Sequence, residues 1–242
     1  MTDEIGTYAA GSGITVSEIE TFPEMPTHRR KFLLCFHGGG GIGGNPLMHA
    51  PFLESLGREQ PLTAWLPNYR TYRTCGPTTD VADMIADARH ALSWARGSLP
   101  EGARLDVCGA SFGGFLALSA VLADPRSVSG LLLLNPVTDT GPGGFSNRVL
   151  SPDHAVSLSP LSLWKNSDLL QELNCLIVHG EADVVVPAEQ SRRFAALWPP
   201  ERCRLVTFPG RGHGFFNRGS NHAAVVEAIL KHWTLCDADS LD

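Results

Sequence analysis

An α/β fold, with a mostly parallel central sheet covered by helices on both faces, is what this sequence predicts, on two observations. Strand-length apolar runs alternate with stretches of helical period along the chain. Several of those runs, such as Phe32-Leu33-Leu34-Cys35-Phe36 and Leu131-Leu132-Leu133-Leu134, are continuously apolar, as central strands buried on both faces must be. The chain has 242 residues, enough to bury a large core without a metal or disulfide staple, and residues 1–242 read as a single domain.

Taken in order, Ile14 to Ile19 alternates apolar and polar residues, the pattern of a half-exposed edge strand. Phe32 to Phe36 is a central strand and Leu62 to Leu66 another. Val81, Met84, Ile85, Ala88, Leu92 and Ala95 then recur at helical spacing, with Thr79 or Asp80 placed to cap the helix and Gly97 to end it. Leu105 to Cys108 is a strand that runs into Gly109, and a small-residue helix follows from Phe112 to Leu122. Strands are expected over Val128 to Leu134, Leu173 to Val178 and Arg204 to Phe208. Helices are expected over Arg192 to Leu197 and Ala223 to Trp233. From Val137 to about Leu170 the chain is rich in Gly, Pro and Ser and has no sustained period. So long a connection in a compact domain is usually functional, which makes 137–170 a candidate lid or pocket wall, with a surface loop as the plainer reading.

Composition narrows the partners. Charged residues are 18% of the chain and its formal net charge is -6, which argues against nucleic acid or an anionic membrane, since both select for clustered Lys and Arg. No apolar run reaches the length of a bilayer span, and the start, Met1-Thr2-Asp3-Glu4, lacks the pattern of a secretory signal, so a cytoplasmic protein is expected. The six cysteines are scattered without a CxxC pair. They suggest neither a zinc site nor a redox motif, and no metal or organic cofactor is expected.

Four motifs carry chemistry, each at the end of an expected strand. Gly109-Ala110-Ser111-Phe112-Gly113 lies between a strand and a helix. A serine there sits on a tight, strained turn that exposes its hydroxyl, and the next amide, that of Phe112, is left free at a helix N-terminus. His37-Gly38-Gly39-Gly40-Gly41 follows a buried strand, and its bare backbone lets amides approach a ligand oxygen. Gly39 and Gly40, together with Phe112, are the expected donors to an oxyanion, while His37 is expected to orient the loop rather than act as a base. His179-Gly180-Glu181-Ala182-Asp183 places a carboxylate in a turn, and Gly210-Arg211-Gly212-His213-Gly214 places an imidazole in a glycine-rich loop. The chain order Ser111, Asp183, His213 is that of a nucleophile, an orienting acid and a base. Asp139, after the strand at Leu131 to Leu134, is the alternative acid.

With these motifs the chain resembles an α/β-hydrolase of the esterase and lipase kind with an HGGG oxyanion loop, the hormone-sensitive-lipase-like and bacterial acetylesterase relatives. The resemblance runs through His37 to Gly41, Asn68-Tyr69-Arg70, Gly109 to Gly113, His179 to Pro187 and Gly212 to Phe215. It departs at Ala110, where many hormone-sensitive-lipase relatives carry Asp, and in the N-terminal cap of that branch, which is not expected here. The resemblance implies a serine carboxylesterase that cleaves a small-molecule, short acyl ester through an acyl-enzyme. Amidase or peptidase, thioesterase or acyltransferase, and a non-catalytic ligand-binding relative of the same fold are the competing readings. Phe115, Trp164 and Phe215 are the expected pocket residues.

Overall fold

The computed structural model describes residues 4–10, 14–126 and 128–238. Its strands are β1 (Glu4–Ala10), β2 (Ile14–Glu20), β3 (Lys31–Phe36), β4 (Leu62–Asn68), β5 (Leu105–Ala110), β6 (Val128–Leu134), β7 (Asn174–Gly180) and β8 (Cys203–Phe208). Its helices are α1 (Ala50–Gly57), α2 (Tyr72–Cys75), α3 (Val81–Ser98), α4 (Phe112–Ala123), α5 (Pro152–Ser157), α6 (Pro160–Trp164), α7 (Leu169–Glu172), α8 (Ala188–Ala195) and α9 (Gly219–Ala238). The strands form one sheet in the order β1-β2-β4-β3-β5-β6-β7-β8. β1, β2 and β4 are paired antiparallel, and every pair from β4 to β8 is parallel.

Burial on both faces explains the apolar runs. Along β3, Leu34 and Phe36 belong to one core layer and Leu33 and Cys35 to the other, all at 2% exposure or less. The first layer lies under α3 and α4, with Phe194 of α8. The second lies under α1 and α9, through Phe52, Leu53, Val225 and Ile229. The sheet order turns back at β3, with β4 on one side and β5 on the other. Open α/β sheets bind their ligands at the carboxyl ends of strands beside such a reversal.

Three expectations about elements need correction, and one pair of alternatives is settled. Ile14 to Ile19 is not an edge strand: β1 pairs along its outer side from Glu4 opposite Glu20 to Ala10 opposite Ile14. Side-chain alternation reports which face is wet, not whether the backbone edge is paired. Gly97 does not end its helix. α3 runs to Ser98 and stops at Leu99, which is extended (φ -67°, ψ 136°) because Pro100 follows it. Asp80 rather than Thr79 caps that helix, accepting from the Ala82 amide at 3.2 Å while Asp83 accepts from the Asp80 amide at 3.2 Å. The helix expected over Arg192 to Leu197 begins earlier, at Ala188, directly after Pro187.

The 137–170 stretch is folded. It holds α5, α6 and α7, of 6, 5 and 4 residues, each too short to register as a period. The segment is tied to itself where Leu161 N donates to Thr138 O at 2.7 Å and Thr140 Oγ1 to Ala155 O at 2.7 Å. Trp164 seals it to the core, with its ring 5.7 Å from Trp198 and 6.0 Å from Phe194. Among the described residues no helix is long and apolar enough to cross a membrane.

Candidate active site

Ser111 is the single residue between β5 and α4, with φ 55° and ψ -122°, a conformation that is strained for any residue with a Cβ. The surroundings hold it there. Its N–H donates to Leu134 O at 2.9 Å, and its carbonyl accepts from Gly114 N and Val137 N, both at 2.9 Å. The turn also needs a bare backbone two residues on, because a Cβ on Gly113 would stand 2.1 Å from Phe36 O.

The loops after β7 and β8 bring the other two groups to the serine. His213 Nε2 lies 2.9 Å from Ser111 Oγ, and His213 Nδ1 lies 2.7 Å from Asp183 Oδ2. A carboxylate only accepts, so Nδ1 carries the proton and Nε2 is left to accept from the serine hydroxyl. The His213 side chain is 24% exposed and within reach of a ligand, while that of Asp183 is fully buried.

Burial works against the charge on Asp183, but four donors outweigh it. The His179 and His213 rings, the Val186 amide and the Asn135 side chain together hold the carboxyl well below the usual carboxylate range. In distances, Oδ1 accepts from the Val185 and Val186 amides at 2.9 Å each, and Oδ2 accepts from Asn135 Nδ2 at 2.7 Å. His179 Nε2 stands 3.3 Å from Oδ2 and 2.8 Å from Val186 O, while its Nδ1 meets Ser191 Oγ at 2.6 Å. Val186 O also only accepts, so His179 is protonated on Nε2, and Ser191 donates to Nδ1.

The glycine-rich loop after β3 runs beside the serine. A Cβ on Gly38 would lie 3.2 Å from Ser111 Cβ. Gly39 has φ 115° and no room for a side chain, since its Cβ would fall 2.0 Å from Gly43 O. Among the described residues the Gly39, Gly40 and Phe112 amides have no hydrogen-bond partner. Unpaired backbone donors in such a loop are able to take up negative charge. His37 is buried beneath the loop, its ring stacked on Tyr69 at 4.2 Å, and Tyr69 Oη donates to His37 O at 2.7 Å. Burial pushes the His37 imidazole down to about 4, so it is neutral near pH 7. Its Nδ1 donates to Gly38 O at 2.7 Å, an orienting contact rather than a base.

The alternative acid, Asp139, is committed elsewhere. Its Oδ1 accepts from Gly141 N at 2.9 Å and Ser159 Oγ at 3.0 Å, and its Oδ2 faces Arg193 Nη1 at 2.9 Å. The three expected pocket aromatics are also corrected. Phe115 and Trp164 are 0% exposed and Phe215 2%, so none presents a surface that a ligand can touch. Phe115 stacks on Phe112, Trp164 fills the core beside Trp198, and Phe215 packs on Phe208. The aromatic that does lie at the loop is Phe145, partly buried, whose Cζ would be 3.8 Å from a Cβ on Gly40. Phe145, Asn135 and His179 are site residues that sequence reasoning passed over. Phe145 belongs to the 137–170 stretch, the one signal that pointed toward it.

Among the described residues no cluster of three or more His, Cys, Asp or Glu is arranged to hold a metal ion. A cavity of about 290 Å³ opens at the opposite edge of the sheet, where the strands begin, lined by Asp106, Ser129, His232 and Trp233 among others. Asp106 there is already engaged by Ser129 Oγ and Trp233 Nε1, each at 2.7 Å, and the cavity is remote from Ser111.

Comparison with known proteins agrees with this fold. The sequence profile of a family described by the alpha/beta hydrolase fold matches residues 33–217. Hormone-sensitive lipase of Ictidomys tridecemlineatus is 26% identical over 171 residues, which are 66% of this chain and 22% of that much longer protein. Thermogutta terrifontis esterase 2 is similar along nearly the whole chain. Its propionate-bound structure is 26% identical with a TM-score of 0.72, covering 98% of this chain and 94% of that one. The form phosphonylated by cyclosarin is 26% identical with a TM-score of 0.76, again covering 98% and 94%. The form phosphorylated by paraoxon is 25% identical with a TM-score of 0.74 over the same shares. From its nucleophile turn, its glycine loop and a family match that spans most of its length, this chain belongs to the α/β-hydrolase fold family and resembles its hormone-sensitive-lipase-like esterases.

Proposed function

We propose that the protein is a serine carboxylesterase that cleaves small, short acyl esters through an acyl-enzyme. The observation that carries this reading is the unbroken relay from Ser111 Oγ through His213 to Asp183, with contacts of 2.9 and 2.7 Å. In the first half-reaction Ser111 Oγ attacks the ester carbonyl as its proton passes to His213 Nε2. Asp183, kept ionised by its donors, holds the ring and stabilises the imidazolium. The carbonyl oxygen becomes an oxyanion and takes hydrogen bonds from the Gly39, Gly40 and Phe112 amides, each such donor being worth about 10²–10³ in rate. His213 then protonates the leaving alcohol. In the second half-reaction it draws a proton from water, which attacks the acyl carbonyl, and passes that proton to Ser111 Oγ as the acyl–oxygen bond breaks and the carboxylic acid leaves.

Support for a short acyl group comes from the segment after β6, whose Phe145 ring comes close to the glycine loop, its Cζ 3.8 Å from where a Cβ on Gly40 would stand. The propionate and butyrate bound to Thermogutta terrifontis esterase 2 point the same way. Hydrolysis of p-nitrophenyl acetate, butyrate and octanoate by the wild type and by Ser111→Ala tests the proposal. The expected result is turnover of acetate and butyrate well above octanoate, with a loss of about 10⁴-fold or more in the variant. A wild type no faster than the variant on all three esters refutes it.

A further inference from the structure

The loop after β3 has its carbonyls fastened one by one. Gly38 O accepts from His37 Nδ1 at 2.7 Å, and Gly39 O accepts from the Ile42 and Gly43 amides at 3.0 and 3.2 Å. Gly41 O accepts from Tyr72 N and Ile42 O from Arg73 N, both at 2.9 Å. All of these donors belong to the loop itself or to α2. Gly40 is held from farther away in the chain. Its carbonyl accepts from the side-chain amide of Asn147, 107 positions away in sequence, in the segment after β6.

Asn147 is itself held. Its Oδ1 accepts from Val149 N at 3.1 Å, and its carbonyl accepts from Leu150 N at 3.2 Å. Its neighbours grip the same loop. Phe145 lies over Gly40, Val149 Cγ2 would be 2.9 Å from a Cβ on Gly41, and the Arg148 guanidinium sits 5.2 Å from the centre of the Tyr72 ring.

The contact bears on the amides through peptide geometry. Gly40 N–H belongs to the plane fixed by the Ile42 and Gly43 amides, and Gly40 C=O belongs to the next plane, fixed by Asn147. Gly40 has φ 66° and no side chain, so with that carbonyl released little steric resistance stops the second plane from rotating. Such a rotation swings the Gly41 N–H, which shares the second plane, and loosens the loop that carries the Gly39 and Gly40 donors, and donors stabilise a transition state in proportion to their preorganisation.

We propose that Asn147 is a positioning residue: it locks the Gly40–Gly41 peptide so that the glycine loop carrying the oxyanion donors is preset, and it makes oxyanion binding depend on the segment after β6. The inference rests on the esterase reading above. Through this contact the 137–170 stretch acts as a strap on the glycine loop as well as a wall beside it.

The test measures kcat and KM for p-nitrophenyl butyrate in wild type, Ser111→Ala, Asn147→Ala and Asn147→Asp. It adds the inhibition constant of an alkyl trifluoromethyl ketone, whose serine adduct carries an oxyanion, and the thermal midpoint of each variant. Asn147→Ala is expected to lower kcat about 10- to 100-fold with KM within about threefold, and to weaken the ketone by the factor lost in kcat/KM. Asn147→Asp, which sets an acceptor against the Gly40 carbonyl, is expected to lose at least as much. Thermal midpoints should stay within a few degrees of wild type, which a loss caused by unfolding would not allow. An unchanged kcat, or a loss confined to KM with ketone binding intact, overturns the inference while the esterase reading stands. Equal rates for wild type and Ser111→Ala overturn both.

Discussion

The loops after β6 and β7 each carry a buried aspartate, Asp139 and Asp183, and the two make a controlled comparison. Both follow an interior parallel strand, both are 6% exposed, and both accept hydrogen bonds from nearby backbone amides. They differ in what faces the second oxygen. Asp139 Oδ2 meets Arg193, whose side chain is 53% exposed, so the pair is a fixture of the packing between the 137–170 segment and α8. Asp183 Oδ2 meets His213, and through it Ser111. A carboxylate joins a proton relay because a base stands opposite it, and the choice here is made by the loop after β8, the neighbour of β7 in the sheet.

Removing the charge at each position should separate the two roles. The largest effect is expected at Asp183→Asn, where kcat should fall about 10³- to 10⁴-fold because the amide no longer selects the right tautomer of His213. Asp139→Ala should leave kcat within about threefold, and instead destabilise the fold by about 1–3 kcal/mol by stripping Ser159 Oγ and Gly141 N of their acceptor. Steady-state kinetics and urea midpoints on the two variants read this directly. If Asp139→Ala lost rate as Asp183→Asn does, the comparison would collapse.

The glycine loop adds a pH signature. His37 is lowered from 6.5 to about 4 in the fold, so between those values the unfolded chain binds a proton that the folded one refuses. Stability is therefore full above pH 6.5 and falls as pH drops toward 4, with about 2 kcal/mol lost at pH 5. His49 and His232, also lowered by burial, act with the same sign. Asp183 works in a lower window: its depressed carboxyl adds stability above about pH 4, which is lost on further acidification. Urea midpoints at pH 7.5 and 5 for wild type and His37→Asn should show a shallower slope in the variant, whereas Asp183→Asn should leave this interval unaltered.

The smallest change in stability concerns the strain at Ser111, whose φ of 55° favours glycine. Ser111→Gly should abolish turnover and raise stability by about 1 kcal/mol, read as a higher denaturation midpoint. A fall in stability would mean that the serine hydroxyl contributes more to the fold than its backbone strain removes.

What was legible in the sequence follows from physics that acts locally. β3 and β6 announced themselves because burial on both faces forces an apolar run, and the serine turn because only a bare backbone fits at Gly113. Four chemical motifs at strand ends were visible because parallel strands deliver their following loops to one edge. Contacts between distant loops left no such trace. Asn135 and Asn147 matter through partners 48 and 107 positions away, and an asparagine in a loop looks the same whether it caps a turn or holds a glycine carbonyl. Trp164 shows the opposite failure. An apolar residue beside an irregular segment reads alike as pocket wall or as core, and here Trp198 and Phe194 enclose it. α1 went unseen because eight residues give too little period to stand out.

The account stands on Ser111 as the nucleophile presented by His213. The most direct measurement is the intact mass of the protein after treatment with paraoxon, followed by peptide mapping, for the wild type, Ser111→Ala and His213→Ala. One diethylphosphoryl group on Ser111 of the wild type, absent from Ser111→Ala and formed far more slowly in His213→Ala, is the predicted result. Labelling that persists in Ser111→Ala, or maps to another residue, would contradict it.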